Sequence, residues 1–257
     1  MELGLKNKVV LVTAGSGDGV GSATARAFAQ EGARVAVTYC TRPQAGEAVA
    51  KDVESLGGEA MSVHYDLGDI ASIDTAVAAV QERWGPIEVL VANATFGPVY
   101  GHGAFEEVPA EAWQRKFRAD VEGTYRTAQA CVAAMRREGW GRIVFVSSTG
   151  WVSGRAGRAP YQAAMATSKA ALHGLTRSLA IDLGAAGILV NTVSPGAVDG
   201  ARLRGRLGEQ AVNAIAAATA TGRISTPDEV AAAIVFLCSA ANGNITGTDL
   251  FVDGASV

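Results

Sequence analysis

The sequence predicts an α/β fold: one doubly wound parallel sheet of about seven strands, with helices on both faces. Three observations predict it. Short apolar, largely β-branched runs alternate with amphipathic stretches along all 257 residues. The apolar runs are continuous, not alternating, as expected of strands buried on both sides. Glycines, alone or beside proline, close most of the helix-like stretches. No linker, low-complexity tract or internal repeat interrupts the pattern, so residues 1–257 are read as one domain.

Taken in order, Val9–Val12 is the first strand, and a glycine cluster leads from it into an Ala-rich helix, Ser22–Gln30, stopped by Gly32. Arg34–Tyr39 is a second strand, and Gln44–Leu56 a helix closed by Gly57-Gly58. Ala60–Tyr65 and Ile87–Ala92 are strands flanking the helix Ile70–Trp84, which Gly85-Pro86 ends. After a glycine-rich loop, Ala110–Arg137 reads as one long helix. The strand Arg142–Ser147, the long helix Tyr161–Leu183 and the strand Ile188–Val193 follow. A loop of about residues 194–225 with one or two helices leads to the helix Pro227–Ser239 and a last strand, Leu250–Val252. Strand–helix–strand crossovers of this kind are right-handed, which yields the doubly wound arrangement.

Composition narrows the function. Lys plus Arg is 22 and Asp plus Glu 25, a net charge of −3, so the chain lacks the basic footprint of a nucleic-acid binder. The hydrophobic fraction of 49% argues for a packed core. No apolar run reaches the ~18 residues of a membrane span. The first residues, MELGLKNKVV, lack the apolar stretch of a signal peptide. The three cysteines, Cys40, Cys131 and Cys238, are far apart and without metal spacing, so a reduced, cytoplasmic protein is expected. The three histidines, His64, His102 and His173, are isolated in sequence, and no metal is expected.

Chemistry begins at the first turn. Gly15, Gly19 and Gly21 stand in G-x3-G-x-G spacing between a strand and a helix. Glycines permit the tight turn and let backbone approach a diphosphate, while the helix start offers free N–H groups. At this point the chain resembles the short-chain dehydrogenase/reductase family over nearly its whole length. The resemblance is carried by the glycine turn, Asp66-Leu67, Asn93-Ala94, Ser147-Ser148, Ser168-Lys169-Ala170-Ala171-Leu172, Asn191 with Pro195-Gly196, and Val252-Asp253-Gly254. It implies a Rossmann-like fold and a nicotinamide cofactor. Asp66 would meet the adenine edge; Asn93, Pro195 and Gly196 would line the nicotinamide side. Asp66 has a purely structural alternative as a helix cap. The end of the second strand has no carboxylate to hold a ribose hydroxyl, whereas Arg42 is placed to face a 2′-phosphate. That favours NADP(H). Asp18 in the turn argues the other way, leaving NAD(H) as the alternative.

The family works with Ser, Tyr and Lys. Tyr transfers the proton, Ser orients the substrate oxygen, and Lys binds the nicotinamide ribose. Lys169 fits, but Met165 stands four residues before it, where Tyr is usual, and a thioether transfers no proton. Tyr161 lies 13 residues after Ser148, the family's usual separation, but eight before Lys169. In one reading Gln162–Met165 is an extra helical turn. It sets Tyr161 roughly 80° and 12 Å from Lys169 on a straight helix. Tyr161 then acts from further out, as in the family's enoyl-thioester reductases. Conjugate reduction places hydride on the β-carbon, two bonds further from the oxygen, so the oxyanion partner must move outward. In the other reading Tyr161 is an ordinary tyrosine and Met165 fills the catalytic slot. Pro160 suits a helix start just there.

Asp120 is a further departure, standing where the family usually has Asn. It would pair with Lys169 or join a proton relay, or else pair with Arg118 or Arg126. Thr95 and Ala92 also depart from the family's Asn-Asn-Ala-Gly. Arg155 and Arg158, with Arg202, Arg204 and Arg206, flank the expected cleft and suit an anionic or carrier-bound substrate, or are solvated loop charges. Trp151 and Phe96 would wall an acyl or polyketide group, or fill core. The resemblance also implies a homo-oligomer, a tetramer or dimer, built through the two long helices. The leading expectation is a reductase of a ketone or conjugated enone. Alternatives are a cofactor-binding sensor or scaffold without turnover, and a non-redox catalyst on the same fold.

Overall fold

The strands β1 (Val9–Val12), β2 (Arg34–Tyr39), β3 (Glu59–His64), β4 (Val89–Ala92), β5 (Gly141–Val146), β6 (Ile188–Pro195) and β7 (Asp249–Val252) form one sheet in the order β3-β2-β1-β4-β5-β6-β7. Every neighbouring pair is parallel. This computed structural model describes residues 2–97, 106, 108–153 and 162–257.

Strand periodicity sorts the core into two layers. Val10 and Val12 of β1 and Val89 and Val91 of β4 face one side. There they meet α1 (Val20–Gln30), α2 (Pro43–Ser55) and α10 (Pro227–Cys238) through Phe28, Val53, Val230 and Ile234. Leu11 of β1 and Leu90 of β4 face the other side. Their partners there lie on α3 (Ile70–Trp84), α5 (Thr124–Glu138) and α7 (Gln162–Leu183), through Val80, Met135, Leu172 and Leu183. With both faces covered, neither set of strand residues needs to be polar, which explains the unbroken apolar runs.

Most element ends agree with the sequence reading to within two residues. The expected single helix Ala110–Arg137 is the main correction. It is α4 (Ala110–Phe117), a π-helical turn Arg118–Gly123, and α5. The wide turn carries Asp120 inward, and Gly123 lies so close to the segment after β3 that a Cβ there would be 2.1 Å from the Leu67 carbonyl oxygen. A short helix, α6 (Gly150–Ser153), follows β5 and was not expected. The loop after β6 holds α8 (Ala201–Leu207) and α9 (Glu209–Ala217). Its neck is tied by a bridge between Val198 and Ser225. Among the described residues, no helix is long and apolar enough to cross a membrane.

Candidate active site

Strand order reverses between β1 and β4, because the chain leaves β1 toward β2 and β3 before returning to β4 on the other side. Crevices at such switch points, outside the carboxyl ends of the strands, are where doubly wound sheets bind ligands. The glycine turn leaves β1 here. Thr13 Oγ1 accepts the main-chain N–H groups of Asn93 and Ala94, each at 2.9 Å, and so ties the ends of β1 and β4 together. Asn93 returns the contact: its Nδ2 donates to the carbonyls of Thr13 and Ala14 at 3.1 and 3.3 Å. Ala14, the extra residue of this turn, takes φ +51° and donates its N–H to Thr38 Oγ1 at 2.9 Å.

The glycines divide by role. A Cβ at Gly21 would lie 2.3 Å from the Ala14 carbonyl oxygen and 2.7 Å from Asn93 Nδ2, so only glycine fits. At Gly15 it would lie 3.0 Å from Val37 Cβ. Gly19 meets nothing within 4 Å and faces open space at the N-cap of α1. Free first-turn N–H groups beside an open, Cβ-free cradle suit a dinucleotide diphosphate, and no acidic side chain occupies the first turn of α1.

Around this cradle, a Cβ at Gly17 would lie 3.4 Å from Arg42 Nη2. The guanidinium therefore reaches over the turn from the N-cap of α2. Asp66 follows β3, and its Oδ1 accepts the Gly68 N–H at 2.9 Å. The N-cap of α3 is Asp69, not Asp66. Cys40, just past β2, has its thiol pushed up by burial and then by the Asp66 charge. On the other flank, Pro195 ends β6, and Gly196 donates to the Val252 carbonyl at 3.1 Å. A Cβ at Gly196 would crowd Asp253 at 2.9 Å.

Lys169 is buried on α7, and its Nζ donates to the Val146 carbonyl at the end of β5 at 2.8 Å. Burial, opposed by the Asp120 charge and aided by that of Lys116, pushes its amine down to about 8. Ser148 sits just past β5, partly exposed, and accepts the Gly150 N–H at 3.2 Å. Tyr161 lies outside the described residues, as do His102, Arg155, Arg158 and Pro160. Met165 is described, one helical turn before Lys169, and its carbonyl accepts from Ser168 Oγ at 3.1 Å.

Asp120 takes a partner the sequence did not suggest. Its carboxylate is 2.7 Å from Lys116 Nζ, whereas Arg118 pairs with Glu122 and Arg126 with Asp74. No hydrogen bond joins Asp120 to Lys169, although the Asp120 charge favours the protonated amine. The i,i+4 spacing of Lys116 and Asp120 was the available signal, but on a helix such pairs are usually surface pairs. Phe96 packs against the buried cluster of Tyr65, Leu67, Ile73 and Ala76 and is core filler on that side. Arg204 is committed to Asp199 and Glu209.

His173 was read as isolated, yet it joins four elements. Its Nε2 is 2.9 Å from Ser147 Oγ, and its Nδ1 is 3.4 Å from Asp249 Oδ2 on β7. Trp151 of α6 lies over its ring at 4.2 Å between centroids. Ser147 also donates to the Lys169 carbonyl at 3.2 Å. The order Ser–His–Asp suggests a nucleophile chain, but Ser147 is buried with its hydroxyl held at Lys169, so the cluster is a clamp behind the site. Among the described residues, no three His, Cys, Asp or Glu side chains gather as a metal site requires.

Comparison with known proteins agrees with this architecture. The profile of the family described as "Enoyl-(Acyl carrier protein) reductase" matches residues 14–255. L-rhamnose 1-dehydrogenase (NAD(P)(+)) of Sphingomonas is 35% identical over 252 residues, 97% of this chain and 96% of that protein. The short-chain reductase protein NovJ of Streptomyces niveus is 34% identical, covering 98% and 95%. A solved mutant of a Serratia marcescens short-chain dehydrogenase/reductase superposes with a TM-score of 0.87 at 33% identity, covering 98% of each chain. The chain belongs to the short-chain dehydrogenase/reductase family. It is an NAD(P)-dependent oxidoreductase, and the cradle at Gly15, Gly19 and Gly21 is of the kind that cofactor needs.

Proposed function

We propose that this protein is an NADP(H)-preferring reductase of a ketone or a conjugated enone or enoyl group, carried on an acyl-thioester or polyketide-type substrate. The observation that carries the reading is the slot one helical turn before the buried Lys169, which holds Met165. That slot offers no proton, so the proton-transferring group acts from elsewhere, and Tyr161 is the residue assigned to it.

The nicotinamide, when bound, supplies the hydride. The chain supplies placement and protons. The glycine turn and the start of α1 hold the diphosphate, and Asp66 meets the adenine edge. Arg42, already lying over Gly17, meets a 2′-phosphate and supports the NADP(H) preference. Asn93, Pro195 and Gly196 bound the nicotinamide side. Lys169, with its amine near neutrality, holds the ribose and moves a proton. Ser148 orients the substrate oxygen, and Tyr161 donates to it or stabilises it from further out than a tyrosine at position 165 would. Exposed Arg202, at the start of α8, suits an anionic carrier.

The test is NADPH consumption with a panel of β-ketoacyl, enoyl and quinone-like substrates, with Tyr161→Phe alongside wild type. Turnover that falls at least tenfold in Tyr161→Phe supports the assignment; unchanged turnover removes Tyr161 from the mechanism. Nucleotide binding without turnover across the panel favours the second reading, a cofactor-binding sensor, for which Met165 in the catalytic slot is the supporting observation. We also assign a homo-oligomer through α5 and α7, whose outer faces leave Tyr125 half-exposed and Ile181 81% exposed. A monomeric mass in solution would exclude it.

A further inference from the structure

Two of the departures from the family pattern, Thr95 and Asp120, meet at one buried lysine. Lys116, on α4, is 7% exposed; its ammonium donates to Thr95 Oγ1 at 2.9 Å and the Phe96 carbonyl at 3.0 Å and is ion-paired with Asp120 Oδ2 at 2.7 Å. Asp120 is 2% exposed. Beside the ion pair with Lys116, its carboxylate accepts from the Phe96 N–H at 2.6 Å and Thr95 Oγ1 at 3.0 Å, and it shares the Ser168 hydroxyl with the Met165 carbonyl, each at 3.1 Å. The ammonium is thus held by two hydrogen bonds and an ion pair, and both oxygens of the carboxylate are engaged. The network joins four pieces of chain: the segment after β4, α4, the π-helical turn, and α7 one residue before Lys169.

We propose that Lys116 is a positioning residue of this site: its ammonium straps the Thr95–Phe96 main chain, next to Asn93, to the π-helical turn and keeps the Asp120 carboxylate turned away from Lys169. The proposal rests on the reading of the site as a nicotinamide site.

Three arguments support it. A buried ion pair adds little net stability over an apolar pair of the same volume, so its contribution is placement. Thr95 is exposed although its hydroxyl is engaged by Lys116 and Asp120, so the strap fixes a residue at the surface beside Asn93. Lys116 and Asp120 are also the two charges acting on Lys169 among the described residues, with opposite sign. His173, one turn further along α7, faces Asp249 and Ser147 instead. The pair thus sets both the shape beside Asn93 and the charge balance at Lys169.

The test compares wild type with Lys116→Met, Asp120→Asn and the double variant. One arm measures the NADPH dissociation constant by direct binding. The other follows the titration of Lys169 in nucleotide-free protein by lysine 13Cε NMR; the chain has only five lysines, and Lys169→Met assigns the resonance. Losing Lys116 removes a neighbouring cation and frees Asp120, so Lys116→Met is expected to raise the Lys169 titration by about one pH unit. Asp120→Asn is expected to lower it by about as much, and the double variant to return it near wild type. NADPH binding is expected to weaken roughly tenfold in Lys116→Met and in the double variant, since both lose the strap. The double variant leaves no unpaired buried charge and supplies the binding result if Lys116→Met does not fold. Opposite shifts are not produced by a residue that merely fills space. Wild type that binds NADPH, with variants unchanged in both arms, overturns the proposal alone. Wild type that binds neither NADPH nor NADH overturns the redox reading and this proposal together.

Discussion

Gly21 shows how little room the site leaves a single atom. The Ala14 carbonyl and Asn93 Nδ2 close over it, and neither can withdraw without loosening the tie between β1 and β4. Gly21→Ala is expected to cost about 1–3 kcal/mol of stability and to weaken NADPH binding at least tenfold. Denaturant unfolding and direct binding check the two effects separately. Arg42 is the opposite case, a side chain over the turn with no backbone to disturb. Arg42→Ala is expected to raise KM for NADPH about tenfold and leave KM for NADH within about twofold, since only a 2′-phosphate needs the guanidinium. Equal effects on both would end the NADP(H) preference. The glycine turn was legible in sequence because it is local: strand, glycines and helix follow one another within a few residues.

At the scale of elements, the loop between β6 and α10 is anchored at the start of α10. Thr226 Oγ1 accepts the Glu229 N–H at 3.3 Å, and Glu229 in turn accepts the Thr226 N–H at 2.8 Å. Arg223 grips the same carboxylate through two bonds at 2.8 and 2.7 Å, and Pro227 starts the helix. Thr226→Ala is expected to cost about 1 kcal/mol, or ~2–4 °C in Tm for a chain of this size, with the loss confined to this end of the loop. Thermal unfolding measures the first, and hydrogen exchange of residues 220–230 the second. The element the sequence missed is the π-helical turn within Ala110–Arg137. Helical periodicity continues through it, so the pattern gives no warning. Asp120 in that turn meets Lys116, four residues back, and Thr95, Phe96 and Ser168, on elements distant in sequence. Such wide turns gather at functional sites.

At the scale of the whole molecule, buried titratable groups set the pH dependence of stability. The amine of Lys169 is pushed down from 10.5 to about 8 by burial, with Lys116 adding and Asp120 opposing. Between these values the unfolded chain holds the proton and the folded protein does not, so this contribution rises with pH and is lost as pH falls through about 8. Cys131, pushed up from 9.0 to about 12, and Cys238, pushed up by burial as well, act in the opposite sense. Their contribution is present below pH 9.0 and declines as pH rises above it. Subtracting the curve of Lys169→Met isolates the lysine. Wild type is expected to gain on the variant by on the order of 2–3 kcal/mol between pH 8 and 10.5. A gap independent of pH would mean that Lys169 is solvated.

The sequence by itself determined the doubly wound sheet, its strand runs and the glycine turn. Each of these is written in local periodicity or in a few consecutive residues, and a parallel sheet covered on both faces admits few other solutions. Only the tertiary structure decided which charges meet. Lys116, Thr95, Asp120 and Ser168 lie on four segments, as do Ser147, Trp151, His173 and Asp249. A charged side chain carries no mark of its partner, because pairing depends on which elements the sheet order and the helix packing bring within 3 Å of one another.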